Sequence, residues 1–281
     1  MQNKHGAVVL PLYGPQPGGI AERIKGLTRA GLLVVLVNNN PKPAVSQDWP
    51  RGVLIVENAN RGGLAGGLNR GTSTAIAEGC HLITLLDQDS ELEAEAVLAM
   101  QARVKSTNGS VVGPAIWDLY RQCWHSKHKN PRLLITSGTT FTASTWGEVG
   151  PYLEWMEIDY LDHEWCSRAR QRGYRLEVFD KARLVQAFGN PHPNRLAHRL
   201  GLQLYSPYRR SVALRNLRWL IRRNYVPFDI RLKESVKMLV KPWLWLMLEP
   251  SRREIIRCIW VGISAPLEQS FPSQLVERTE P

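Results

Sequence analysis

No stretch of this 281-residue sequence stays apolar for the roughly 18 residues that a bilayer-spanning helix needs. The apolar run nearest the N-terminus, Ala7–Leu12, is too short for a signal peptide, and a cytoplasmic chain is expected. Cysteine is scarce and unpaired in spacing: Cys80, Cys123, Cys166 and Cys258 stand far apart. That argues against a disulfide-built secreted domain and against a CxxC zinc site. The histidines lack the HxxxH spacing of a helical metal site. There is no Walker-A loop, no strict GxGxxG and no GxSxG elbow. P-loop nucleoside triphosphatases, dinucleotide dehydrogenases and α/β-hydrolases are thereby set aside. Internal repeats and low-complexity segments are also missing.

Acidic residues are few where basic ones gather. The chain holds 36 Lys/Arg and 25 Asp/Glu, a net charge of +11. Residues 191–260 alone hold 15 Lys/Arg against 4 Asp/Glu, so the rest of the chain is neutral. A basic surface in the last third suits an anionic partner: nucleic acid, a membrane surface or an anionic lipid carrier.

Short apolar runs at Ala7–Leu12, Leu32–Val37, Val53–Glu57 and His81–Leu86 read as buried strands. Helical spacing over Ile20–Ala30 and Gly71–Glu78 separates them. Alternation at this pace predicts an α/β fold, a mostly parallel sheet with helices on both faces. Ligands in such sheets bind beyond the strand C-termini, where the Asn38–Asn40 and Asp87–Ser90 loops fall. Further on, Val111–Pro114 predicts a strand and turn, Leu133–Ser144 a strand, Asp162–Gly173 a helix and Arg175–Phe179 a strand. A break at Pro191-His192-Pro193 predicts one domain over 1–190 and a basic, Trp-rich helical region over 191–281. Helices are expected there at Tyr208–Asn224, Lys233–Leu248 and Arg252–Ile263. Trp219, Trp243, Trp245 and Trp260 lie among Arg and Lys, as in helices that rest on anionic membranes. They equally suit the core of a helical subdomain or a dimer contact.

Three clusters can carry chemistry. Asp87 and Asp89, one residue apart after an apolar strand, can hold Mg²⁺ or Mn²⁺ against a diphosphate. The same loop also serves to cap the next helix. The run from Asn60 to Gly71 holds five glycines, which let backbone amides approach a phosphate or permit tight helix packing. Glu157 to Trp165 gathers four carboxylates beside aromatics, a setting for a general base or an acidic helix N-terminus capped by Asp162. There, Glu164 and Arg168 are four apart and can pair. Ser137 and Gly138 can offer a hydroxyl and an amide to a ligand, or form a plain turn.

In order along the chain come NRGGLAGGLNRG, LLDQDS, VVGP, SGTTF, EIDYLDHEWCSRARQRGYRL and SPYRRSVALRN. Together they resemble family 2 glycosyltransferases of the GT-A fold, and within them the bacterial rhamnosyltransferases of surface-polysaccharide assembly. The resemblance runs from about residue 7 to about residue 265. It implies an inverting, metal-dependent transfer from a nucleotide-diphospho-sugar, with dTDP-rhamnose the family-level donor. The implied acceptor is a glycan or polyprenyl-diphosphate-linked sugar at the inner membrane face. Pro11, Tyr13, Asn38 and Asn40 would hold base and ribose, and Asn60 and Asn69 would support that pocket. Asp87 and Asp89 would form the DxD motif, with Asp89 the direct metal ligand. Asp162 would be the catalytic base, Glu164 and Arg168 would organise its helix, and Trp165 would wall the acceptor site.

The pattern breaks at two positions. Asn38 stands where the family has Asp, so the base contact would differ, and Gln186 stands where it has a metal-assisting His, so metal affinity would be weak or would depend on the diphosphate. Competing readings are a non-catalytic sugar-nucleotide-binding relative and a nucleotidyltransferase. The latter lacks its basic triphosphate loop, since GPQPGG has no Arg or Lys nearby. Nucleic-acid binding would explain the basic third but leave the acidic clusters without a role.

Overall fold

The computed structural model describes residues 6–41, 49–107, 109–126, 131–191, 194–199, 202–249 and 251–271. In chain order the elements begin β1 (Gly6–Leu12), α1 (Ile20–Arg29), β2 (Leu33–Asn38), β3 (Val53–Glu57), α2 (Gly63–Ala77), β4 (Leu82–Leu85) and α3 (Ala94–Ser106). There follow β5 (Val111–Asp118), β6 (Cys123–Ser126), β7 (Thr140–Thr142), α4 (Ala143–Val149), a 3-10 turn (Glu154–Met156), α5 (Leu161–Gln171) and β8 (Leu176–Gln186). After β9 (Asn190–Pro191), α6 (Arg195–Arg199) and β10 (Gln203–Leu204) come three helices: α7 (Pro207–Leu220), α8 (Phe228–Leu248) and α9 (Arg252–Ser264).

Strands β3-β2-β1-β4 are parallel neighbours in that order. Strand β7 joins β4 antiparallel and leads to β5, which pairs β8 in parallel. The expected α/β sheet, mostly parallel and covered on both faces, is therefore present. Strand period explains the two cores. Ala7, Val9, Val35 and Val37 point to the face covered by α2, α4 and α5. Val8, Leu10, Val34 and Leu36 point to the face covered by α1 and α3.

Two expectations need correction. The chain over Leu133–Ser144 is strand only at Thr140–Thr142. Before it, Gly138 turns the backbone at φ 81°, and its amide donates to Leu85 O at 2.7 Å. After it, Thr142 caps α4 by accepting from Thr145 N at 3.0 Å. The second correction is α2, which starts at Gly63 and not at Gly71. Four of the run's glycines, Gly63, Gly66, Gly67 and Gly71, belong to this helix. A Cβ on Gly66 would sit 1.9 Å from Arg61 O, and one on Gly71 would sit 2.4 Å from Val9 Cγ1. Gly71 lets α2 press against Val9 of β1 and Val37 of β2, while Gly66 and Gly63 make room for the backbone at Arg61 and Glu157.

The C-terminal helices close over the loop that precedes α5. Trp219, Leu220, Val226 and Ile230 share a cluster with Leu133, Leu153, Trp155 and Tyr160. Trp219 and Trp245 are buried, while Trp243 and Trp260 are exposed. The four tryptophans thus divide between core and surface.

Candidate active site

The sheet order places a switch point between β1 and β4, where the chain has gone outward through β2 and β3 and then returned. The Tyr13 loop leaves β1 there and the Asp87 loop leaves β4. Gln88 joins them: its side-chain amide donates to Tyr13 O at 2.7 Å and accepts from Tyr13 N at 3.0 Å. Arg23 of α1 donates to Gln88 O at 2.6 Å and also reaches Ser90 O. On the other side, Ser137 Oγ accepts from Asp87 N at 3.1 Å and donates to Ser90 Oγ at 2.7 Å. The Asp87–Ser90 segment is therefore fixed before any ligand arrives. Asp89 is exposed on it.

Burial pushes the Asp87 carboxyl up to about 6, and the charges of Asp89 and Asp162 add to the rise. The hydrogen bond from Gln186 and the charge of Arg209 oppose it. Gln186 Nε2 donates to Asp87 Oδ2 at 3.2 Å, while Gln186 Oε1 is buried with no hydrogen-bond partner. Two carboxylates and an orphaned amide oxygen make a hard, all-oxygen donor set, which fits Mg²⁺ or Mn²⁺. Among the described residues no cluster of three His, Cys, Asp or Glu groups is built to hold a metal, so further ligands would come from elsewhere.

Asp162 opens helix α5. Its Oδ1 accepts from both the backbone amide and Nδ1 of His163, each at 2.8 Å. Burial alone would raise this carboxyl, but His163's charge and hydrogen bonds outweigh it and hold the group below its ordinary value. Burial opposes protonation of His163, yet Asp162 and Glu234 leave its pKa raised. Nε2 of His163 lies 3.9 Å from Glu234 Oε1, and Glu234 is bound by Lys237 at 2.5 Å and Tyr160 OH at 3.2 Å.

The loop before Asp162 is strained. Glu157, Asp159 and Tyr160 all have φ near +60° without being glycine. Helix α7 holds them there. Asn216 Nδ2 donates to the carbonyls of Met156, Ile158 and Asp159 at 2.8–3.1 Å. Arg215 Nη2 donates to Trp155 O at 2.5 Å, and Arg209 pairs bidentately with Asp159 at 2.8 and 2.9 Å. Tyr208 donates to the Glu157 carboxylate. None of these roles was assigned in the sequence. The YRRSVALRN segment was visible, but it lies about 50–60 residues from the loop it supports.

Other sequence candidates take structural places. Glu164 is buried and pairs with Arg168 at 2.8 and 2.9 Å, and Tyr225 OH donates to it at 2.8 Å. Arg168 also donates to Val149 O and Pro151 O, so the pair anchors α5. Trp165 is fully buried among Phe141, Trp146 and Tyr152, with Nε1 donating to Gly150 O at 2.9 Å. It belongs to the core and does not wall an acceptor site. Asn69 is buried and exchanges hydrogen bonds with the Tyr152 backbone at 2.9 Å, tying α2 to the segment before α5. Gly138 serves the turn described above, since a Cβ there would meet Pro114 at 2.5 Å.

The asparagines after β2 and β3 brace their loops. Asn38 Nδ2 donates to Glu57 at 2.6 Å, its Oδ1 accepts from the Asn40 side chain at 2.8 Å, and Asn40 Oδ1 accepts from Gly14 N at 2.8 Å. Buried Asn39, of the same loop, and Asn58 continue the network; Asn58 was not singled out in the sequence. Asn60 sits at φ 54° in the turn before α2 and Pro11 is buried in β1, while Tyr13 is 38% exposed at the rim.

No protein-family model matches the sequence. The dTDP-rhamnosyl transferase RfbF of Shigella flexneri is 25% identical over 271 residues, covering 89% of this chain and 90% of that protein. Residues 1–349 of TarS from S. aureus share the fold at a TM-score of 0.57 and 12% identity, over 96% of this chain and 82% of that fragment. GalNAc-T7, in a structure with UDP, GalNAc and Mn²⁺, aligns at a TM-score of 0.53 and 14% identity, over 88% of this chain and 56% of its own. This chain is a glycosyltransferase of the GT-A fold. In sequence it resembles the bacterial rhamnosyltransferases. The transferase thus carries its two clusters of acidic groups, at Asp87 and Asp162, on the C-terminal side of a GT-A sheet.

Proposed function

We propose that this transferase moves rhamnose from dTDP-rhamnose to a hydroxyl of a glycan or polyprenyl-diphosphate-linked acceptor in surface-polysaccharide assembly, with inversion. The donor follows the RfbF resemblance, and nucleotide-sugar use follows TarS, which was also solved with UDP-GlcNAc. One observation carries the reading: Asp162, at the head of α5, lies near enough to Asp87 for its charge to help raise that carboxyl.

Asp162 receives the acceptor proton. Its depressed pKa keeps it ionised at neutral pH, and His163 fixes its orientation. The acceptor oxygen forms the bond to the anomeric carbon as the bond to the diphosphate breaks on the opposite face. The nucleoside diphosphate leaves with that electron pair. Asp89 and Asp87 would hold a divalent cation, with Gln186 Oε1 as a further oxygen. When bound, such an ion offsets charge on the departing diphosphate. Arg209 adds a fixed positive charge on the same side. The Gln88 clamp and the asparagine network hold the nucleotide loops in place, so less order has to be gained on binding.

Thermal unfolding with dTDP, UDP and GDP, each with and without Mn²⁺, tests the donor site. A metal-enhanced rise with dTDP, lost in Asp89→Ala, is expected. Asp162→Asn should retain that rise and lose about 10²–10⁴ in turnover. Near-normal turnover in Asp162→Asn would refute the base assignment.

A further inference from the structure

Helices α8 and α9 present outward faces that the transfer reaction does not use. On α8, Phe228, Leu232, Val236, Leu239, Trp243 and Met247 recur at three- and four-residue spacing and line one side of the helix. These six are between 52% and 73% exposed. The opposite side of α8 turns Ile230, Glu234 and Trp245 into the protein. On α9, Ile256, Trp260 and Ile263 share one exposed side. Helical geometry sets Arg252, Arg253 and Arg257 along the margins of that side, all three exposed, and turns Glu254 away from it. Lys233 takes the equivalent margin on α8 and is also exposed. Single exposed apolar side chains need no explanation, but two consecutive helices carrying such stripes do.

We propose that α8 and α9 are a docking surface for an anionic lipid bilayer, on which they lie without crossing. Three observations select this occupant. Tryptophan and aliphatic side chains bordered by arginine and lysine match the chemistry of a headgroup boundary, with indoles at the level of the headgroups and guanidinium groups on lipid phosphate. Helices α8 and α9 together carry seven Lys/Arg against three Asp/Glu, a net charge of +4. On α9 the same face offers a second copy three arginines and no carboxylate, so two such faces would meet with like charge. Among the described residues no helix is long and apolar enough to cross the bilayer, so attachment is in plane. The surface would hold the transferase beside lipid-borne substrates, but it does not rest on the transferase reading.

Flotation of the full chain with bare vesicles tests it, with neither donor nor acceptor present. The protein should float with vesicles of phosphatidylcholine and phosphatidylglycerol at low salt, and should be released at about 0.5 M salt, where the screening length falls to a few ångströms. Vesicles of phosphatidylcholine alone should bind much less. The triple variant Arg252→Glu, Arg253→Glu, Arg257→Glu should lose on the order of 100-fold in affinity, about fivefold per arginine. The pair Trp243→Ser, Trp260→Ser should weaken binding while the circular dichroism spectrum and the dTDP thermal shift stay unchanged. No flotation with anionic vesicles at low salt would overturn the proposal. So would binding indifferent to arginine reversal, or a soluble dimer that the tryptophan pair dissolves, which would give the face to a second copy.

Discussion

Burial and the neighbouring Asp89 lift the Asp87 carboxyl to about 6, so at neutral pH the fold retains a charge that costs it stability. A carboxyl raised in the folded state binds its proton more tightly there than when unfolded. Its contribution to stability therefore declines as pH rises from about 4 to about 6. Asp87→Asn removes that cost, and its melting temperature at pH 7 should exceed that of the native chain by about 2–4 °C. The gain should vanish near pH 4, and Mn²⁺ enhancement of dTDP binding should vanish with it at every pH. A melting temperature unchanged at pH 7 would remove the strain from Asp87. His163 has the opposite sign. Its pKa is raised by Asp162 and Glu234, so its stabilisation is complete below the ordinary histidine value and is lost as pH climbs through the raised one. The deficit of His163→Gln in urea unfolding should be largest near pH 6 and shrink towards pH 9. Asp87 and Asp89 were legible in the sequence because adjacent positions on a loop stay adjacent in space. The link from His163 to Glu234 was not, because it spans 71 positions and two helices that only the tertiary fold brings together.

Elements explain what single positions do not. The glycine run drew attention as a phosphate cradle, yet α2 spends Gly66 and Gly71 on close contact with the Arg61 backbone and with Val9 and Val37. Composition alone cannot separate these uses, because both need a missing Cβ. Gly71→Ala should cost about 1–3 kcal/mol by overpacking, measured in urea, while leaving nucleotide affinity in the folded fraction intact. Helix α7 makes a related point. Its sequence shows basic charge, whereas its work is to hold three left-handed residues ahead of α5 through Asn216 and Arg215. Asn216→Ala removes three hydrogen bonds and strands the Ile158 and Asp159 carbonyls, while Met156 O keeps the Ile158 amide, a loss of about 2–4 kcal/mol. Turnover should fall further than dTDP affinity, since the loop positions Asp162 and lies apart from the asparagine network behind the nucleotide loops. Equal losses in both would mean that the loop serves the whole site.

At the scale of the whole molecule, the alternating pattern of the first ninety or so residues made the sheet and its ligand edge legible, because buried parallel strands read as continuous apolar runs. The closing of the site by the last third was hidden, since no local pattern reports that a basic helix packs back on an acidic loop. The consequence concerns cooperativity. Trp219, Leu220, Val226 and Ile230 complete a cluster with Leu133, Leu153, Trp155 and Tyr160, and Arg209, Arg215 and Asn216 bind the backbone or carboxylate of the loop before α5. A chain cut after residue 190 would expose that cluster and leave Asp159 and the carbonyls of Trp155 and Ile158 without their partners. Each buried polar group left unpaired costs about 1–3 kcal/mol, and a typical domain has only about 5–15 kcal/mol to lose. The full chain should therefore unfold in urea as one transition, with tryptophan fluorescence and circular dichroism coincident. Of the ten tryptophans that contribute to the fluorescence, Trp155 and Trp219 meet edge to face 5.1 Å apart across the junction. An early fluorescence change with the sheet signal intact would show the C-terminal helices leaving by themselves. In that event the site would be assembled by docking of a separate unit, and the Asn216→Ala loss should then be confined to the first transition.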